Sequence, residues 1–315
     1  MAGRARQCGV TLVELLVAMA IALVVVLAAT AAFLGSQRLF MASADAQAVD
    51  ESLRFASFVV RTIVRQAGYT DHAPDNLVAD AETGIAAMPA SANGAFDLDI
   101  VGASNTRVSR VGDSYGSHNM RGLNASDSLR VRFFGRSRAG SDAEADGTMI
   151  DCMGFAQPGP VSGKTVSTSR AWSFFFIAEA ADSEPELYCK FRAEKEGSFR
   201  SQPLARGIEV FKVVYAHDAD GDGVPEQWMD AAQLEAMAPS EAKVNDEWRK
   251  VVGLRIGMVA RSAHARGASE GTEELLYPLG TDFSEVSFKP PADGRLRRVA
   301  TFTLMLRNAM KGVPS

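Results

Sequence analysis

The sequence predicts an α+β chain in which one long N-terminal helix packs on an antiparallel β-sheet body. Three observations predict it. An apolar run fills residues 10–34. Apolar residues then recur at spacings of three and four as far as Ala67. Beyond residue 96 the period shortens, and apolar and polar residues alternate in segments divided by Gly-rich loops. A helix with one apolar stripe has to bury it, and helix on sheet is a layer architecture that does so.

The run Val10 to Leu34 spans 25 residues, with Glu14 its only charge. At helical rise it reaches about 37 Å, more than the roughly 30 Å of a bilayer's hydrocarbon core. A helix apolar on every side belongs in lipid or in a large protein interior. A secretory signal has an apolar core of only about 7–15 residues and a small-residue cleavage site after it, which this run lacks. An ordinary single-pass anchor has no need of Glu14, because a carboxylate deep in a bilayer costs about 2.5–3.5 kcal/mol and calls for a partner.

Gly9-Val10-Thr11-Leu12-Val13-Glu14-Leu15 follows a leader carrying Arg4 and Arg6. The stretch resembles the type III signal of type IV prepilins: a basic leader ending in Gly, an apolar +1 residue, Thr, Leu, an apolar residue and Glu at +5. Val10 stands where Phe is commoner. The resemblance implies cleavage between Gly9 and Val10 by prepilin peptidase, and N-methylation of Val10. It also implies that Glu14 compensates the N-terminal amine of a neighbouring subunit, an amine largely cationic at neutral pH, when helices pack into a fibre core.

After Leu34 no Pro and no Gly interrupts residues 37–66. Val49, Leu53, Ala56, Val60, Ile63 and Ala67 form one stripe, with Arg54, Arg61 and Arg65 off it. Gly68 supplies a stop signal. The reading is one helix from Val10 to Ala67, lipid-facing and then amphipathic; two helices kinked near Gly35-Ser36 is the alternative. The organisation is therefore a leader over 1–9, a transmembrane and fibre-core helix over 10–34, its amphipathic continuation over 35–68, and a β-rich globular domain over 69–315.

Within that domain residues 70–95 read as loop. Strands are expected over Phe96 to Ile100, Leu129 to Phe133, Trp172 to Ile177, Leu187 to Phe191, Ile208 to Tyr215, Val251 to Ala260 and Val299 to Leu306. Trp228 to Lys243 reads as a short helix.

Apolar residues make up 47% of the chain, enough for a folded core. The formal net charge is −5, and loss of the leader removes Arg4 and Arg6 but no acid. An acidic chain has no electrostatic footprint for nucleic acid. Arg295, Arg297 and Arg298 read as a solvated strand face. No enzyme signature emerges: His72, His118, His217 and His264 are isolated, with His217 read as a surface residue. Gly163-Lys164-Thr165 lacks the earlier glycine of a P-loop, since Pro158 stands there.

Removal of Cys8 with the leader leaves Cys152 and Cys189. In an oxidising compartment the two bridge, closing a loop of about 38 residues worth up to ~4 kcal/mol; a pair of buried free thiols is the alternative. Asp218-Ala219-Asp220-Gly221-Asp222-Gly223-Val224-Pro225-Glu226 has the spacing of a calcium loop. Carboxylates at Asp218, Asp220 and Asp222, the Val224 carbonyl and Glu226 are the expected oxygen ligands, with Gly223 at the sharp turn. Position twelve is Met229 where an EF-hand has Glu, which points to weak binding, roughly 10⁻⁴ to 10⁻³ M. An acidic hairpin turn without metal is the alternative.

The layout resembles the pilin fold, and within it the PilW-type minor pilins. The residues that carry this are Ser126-Asp127-Ser128-Leu129, Asp151-Cys152 with Leu187-Tyr188-Cys189, the acidic turn at 218–226, Trp248 before Val252-Gly253-Leu254-Arg255-Ile256, and the closing Thr301 to Asn308. The resemblance implies a low-abundance pilin, single-pass in the inner membrane with its body in the periplasm, then assembled into a pilus at the cell surface. There it would join other minor pilins and the major pilin, prime assembly and help present a tip adhesin. A type II secretion pseudopilin of the J type is the alternative on the same fold, and a membrane-anchored periplasmic binding module or enzyme is the alternative from another class.

Overall fold

Helix α1 runs from Leu12 to Gln66, as the absence of Pro and the two successive apolar patterns require. The computed structural model describes residues 11–69, 98–109, 120–141, 143–160, 170–192, 199–265 and 274–308. Gly9, Val10 and Phe96 lie outside them. The chain falls into two units, Met1–Gln47 and Ala48–Ser315.

In the second unit the expected stripe is the buried face of α1: Val49, Leu53, Ala56, Val60, Ile63 and Ala67 are all in the core. Truncating one of the larger of these, Leu53→Ala, would cost about 2–5 kcal/mol. Gly68 ends the helix at φ +68°, a conformation that favours glycine, and its N–H donates to the Arg132 carbonyl. The Asn308 side-chain amide takes up the Ala67 carbonyl at 2.9 Å, so the chain's far end caps the helix.

The β-rich body is two antiparallel sheets, where the sequence led us to expect one. The first is a meander in spatial order β1 (Ile100–Ala103), β2 (Ser128–Phe133), β3 (Ala171–Glu179), β4 (Pro185–Arg192) and β5 (Phe199–Arg206). The second has the order β7 (Gln227–Met229), β6 (Ile208–His217), β8 (Val251–Ala265) and β9 (Arg295–Met305). The break falls at Gly207, a single residue at φ +81° that turns the chain from one sheet into the other. β5 escapes a reading by alternation because it carries Pro203, which an edge strand tolerates.

Trp228 to Lys243 is not one helix. Trp228 belongs to strand β7, and α2 (Ala231–Met237) starts only at Asp230, whose side chain accepts from the Gln233 N–H in a capping box. A second short helix, α3 (Val244–Arg249), buries Trp248 edge-on against Tyr215, ring centroids 4.8 Å apart. The first strand also begins later than expected, at Ile100.

In β2 Leu129, Val131 and Phe133 alternate with Arg130 and Arg132, and both arginines are fully buried. On their face of the strand they lie beside the cluster of Trp172 and Phe174 of β3 and Phe199 of β5, and the Arg132 guanidinium lies 3.8 Å from the centroid of Trp172. Arg295 and Arg297 likewise do not form a solvated face. Arg297 pairs with Glu209 at 2.6 Å and Asp293 at 2.7 Å, and Arg295 with Glu184 at 3.0 Å. Glu184 sits in the β3–β4 hairpin and also holds Arg261 of β8, so this network ties the first sheet to the second.

Candidate functional site

The N-terminal unit is organised by its first turn. Thr11 precedes the helix, and its Oγ1 accepts the backbone N–H of Glu14 at 3.3 Å. This is the N-cap arrangement that satisfies one of the helix's orphan donors, and it places the Glu14 carboxylate at the positive end of the helix dipole. The capping role was not anticipated, although Thr-x-x-Glu is its signature. From Leu12 to Leu34 the large apolar side chains are half or more exposed, Leu12 at 74% and Leu34 at 53%. The most apolar window of α1 is entirely unburied and long enough to cross a membrane. The scissile Gly9–Val10 bond lies outside the described residues.

The acidic loop is the connection of a hairpin: β6 and β7 pair from Tyr215↔Met229 to His217↔Gln227. The reactive oxygens of Asp218, Asp220, Asp222 and Glu226 lie within 4.8 Å of one another. Asp218 is buried, and its two oxygens accept the N–H groups of Gly221 at 2.7 Å and Gly223 at 2.8 Å. Burial pushes the Asp218 carboxyl up, but the N–H groups of Gly223 and Gly221 outweigh it and hold the group below the usual carboxylate range. Gly221 and Gly223 take φ of +82° and +88°, which the turn needs. Glu226 Oε2 closes the loop onto the Ala219 N–H at 2.7 Å.

The donor set suits a hard cation, since every ligand is oxygen. Val224 gives its N–H to Asp222 at 2.7 Å while its side chain faces solvent. Met229, at the place of an EF-hand's last ligand, is buried in β7. His217, beside the loop, is not the surface residue expected. It is 1% exposed, with Nε2 2.9 Å from Glu247 of α3.

Cys152 and Cys189 are bridged, with Cα atoms 6.0 Å apart and both residues buried. The bridge fastens the loop before β3 to the centre of β4, and the Cys152 N–H is taken up by Ser173 Oγ at 3.1 Å. Ser126 and Asp127 join the sheets. Ser126 Oγ accepts the Phe211 N–H at 3.1 Å, and Asp127 accepts the Val213 N–H at 3.0 Å and the Lys212 ammonium at 2.8 Å.

Residues 4–30 match the family model of the prokaryotic N-terminal methylation motif, and residues 174–308 match that of the type IV pilus-assembly protein W, PilW. The chain is thus similar to PilW over the C-terminal part of its body. The PilW match takes in Cys189, the acidic hairpin, Trp248 and β9, and it ends at Asn308, the residue that caps α1. No curated protein matches the chain. Among solved structures, a type IV-like pilin from Thermus thermophilus is 13% identical over 83% of this chain and 97% of its own, with a TM-score of 0.37. The two matches together support a minor type IV pilin carrying a prepilin signal, and they point to a structural role.

Proposed function

We propose that this chain is a PilW-type minor pilin that is cut after Gly9 by prepilin peptidase, waits in the inner membrane with residues 69–315 in the periplasm, and then enters the pilus tip complex, priming assembly and supporting a tip adhesin. The observation that carries the reading is the Gly9-to-Glu14 signal set at the head of a helix whose most apolar window is unburied. Such a helix is stable in lipid, or among sister helices that replace lipid. Cleavage creates an amine at Val10, and Glu14 supplies the opposite charge. A carboxylate that is costly alone in an apolar medium becomes tolerable beside a cation. The role is assembly and not catalysis.

The acidic hairpin adds a second element. Asp218, Asp220, Asp222 and Glu226, with the Val224 carbonyl, hold calcium in the range of roughly 10⁻⁴ to 10⁻³ M typical of extracellular modules. The ion supplies charge neutralisation, and so rigidity, at the end of β6. Intact-mass analysis of the membrane-extracted protein tests the central reading. A chain beginning at Val10, one methyl group heavier and two hydrogens lighter for the bridge, is expected; a chain still beginning at Met1 in cells with active prepilin peptidase overturns it.

A further inference from the structure

The two sheets have four edges, and three of them are blunted. β1 has four residues and β7 three, too short to template another strand. β5 carries Pro203 and pairs with β4 through a register shift at Leu187/Tyr188. These are the devices by which proteins protect edges. β9 has none of them in its second half. It is 11 residues long, and Val299-Ala300-Thr301-Phe302-Thr303-Leu304-Met305 contains no charge and no Pro. Among the described residues the only strand laddered to β9 is β8, and from the edge segment the Thr301 side chain donates to the Pro278 carbonyl at 2.6 Å.

The Leu306 N–H donates to the Val252 carbonyl at 2.8 Å. The alternation of an antiparallel ladder therefore turns the N–H and C=O of Val299, Thr301, Thr303 and Met305 away from β8. All four residues are exposed, Met305 at 49%.

One flank of α1 borders this edge. Asp50 pairs with Arg298 at 3.2 Å, and the Arg61 guanidinium stacks 4.3 Å from the ring of Phe302. Arg54 and Arg65, four residues on from Asp50 and Arg61, share that flank, and all three helix arginines are exposed. Arg307 follows the strand. Among the described residues no carboxylate pairs with Arg54, Arg65 or Arg307, although the chain as a whole is acidic at −5. Phe58, 67% exposed, projects between the arginines. The edge is thus apolar and hydrogen-bond-hungry, with a basic rim.

We infer that the Val299–Met305 edge is the docking site for an extended, acidic strand of a different pilin subunit, which adds to the second sheet through main-chain hydrogen bonds. Strand addition draws affinity from the backbone groups and selectivity from flanking side chains. A second copy is disfavoured, because pairing β9 with β9 sets one arginine rim against another. The inference rests on the reading of this chain as a subunit that packs with other pilins, and it names the surface used.

The test uses the full-length chain in cells that produce the complete pilin set. A photo-reactive benzoylphenylalanine replaces Met305 in one strain and Val17 of the membrane helix in another. The expected result is an adduct from position 305 to another pilin, its cross-linked peptide being a strand segment flanked by Asp or Glu. Thr303→Pro removes one outward N–H while leaving the β8 ladder intact, and should lower that adduct about tenfold. Thr303→Ser should leave it unchanged, and disulfide formation should be normal in both.

Adducts from position 17 but none from 305, an adduct that Thr303→Pro leaves at full strength, or a 305 adduct to a second copy each overturn the edge proposal and leave the pilin reading standing. Absence of pilin adducts from both positions sinks the two together.

Discussion

Lys212 of β6 donates to Asp127, just ahead of β2, across 2.8 Å, and this pair fastens the second sheet to the first. Asp127 is 4% exposed, and burial pushes its carboxyl above the usual carboxylate range despite the ammonium beside it. Lys212→Met would leave that carboxyl uncompensated and should destabilise the protein by about 3 kcal/mol, measured by urea unfolding of the detergent-solubilised chain. Adding Asp127→Asn to the variant should recover part of the loss. A single variant of wild-type stability would show that the pair contributes nothing.

A second joint between the sheets is steric. A Cβ on Gly102 of β1 would lie 1.6 Å from Tyr215 Oη of β6. Gly102→Ala should cost about 1–3 kcal/mol, and Tyr215→Phe in the same chain should relieve some of it. Thermal unfolding of the two single variants and the double variant measures the coupling.

The Arg297 hydrogen bond to Asp293, opposed by partial burial, holds that carboxyl down at about 2, from an ordinary 3.8. A depressed acid contributes stability that is present above its unfolded value and lost as pH falls through the folded one. The gap between wild type and Asp293→Asn should therefore be about 1 kcal/mol at neutral pH, after allowance for solvent screening. It should close between pH 3.8 and about 2, followed as unfolding free energy against pH.

Calcium should bind the full-length protein with a Kd of roughly 10⁻⁴ to 10⁻³ M. At ten times Kd it should stabilise the fold by about 1.4 kcal/mol. Asp220→Asn, at an exposed ligand position, should abolish uptake in equilibrium dialysis while leaving the metal-free protein's unfolding unchanged. No uptake by the wild-type chain at millimolar calcium would identify the loop as a hairpin turn held by its own carboxylates.

Glu14 has two separable duties, a place in the capped first turn and a negative charge. Glu14→Gln keeps hydrogen-bonding capacity and removes the charge. It should insert and be cleaved normally but appear in sheared pili at a small fraction of the wild-type level on immunoblots. Thr11→Val, which removes the cap worth about 1 kcal/mol, should affect helix stability more than incorporation. Normal incorporation of Glu14→Gln would refute charge pairing.

Local patterning alone determined the membrane-length helix, its charged first turn, the stripe from Val49 to Ala67, most strands and the acidic hairpin, because helix and strand periods and turn chemistry are properties of neighbouring residues. Tertiary structure decided the rest. That Arg130 and Arg132 are buried beside Trp172, that Arg297 is spent on Glu209, and that the strands divide into two sheets at Gly207 depend on residues far apart in the chain. Charge and apolarity along a strand record which faces differ; they do not record whether the polar face is buried. For the same reason the open edge of β9 is invisible in the sequence, since an edge exists only relative to the strands that are, or are not, placed beside it.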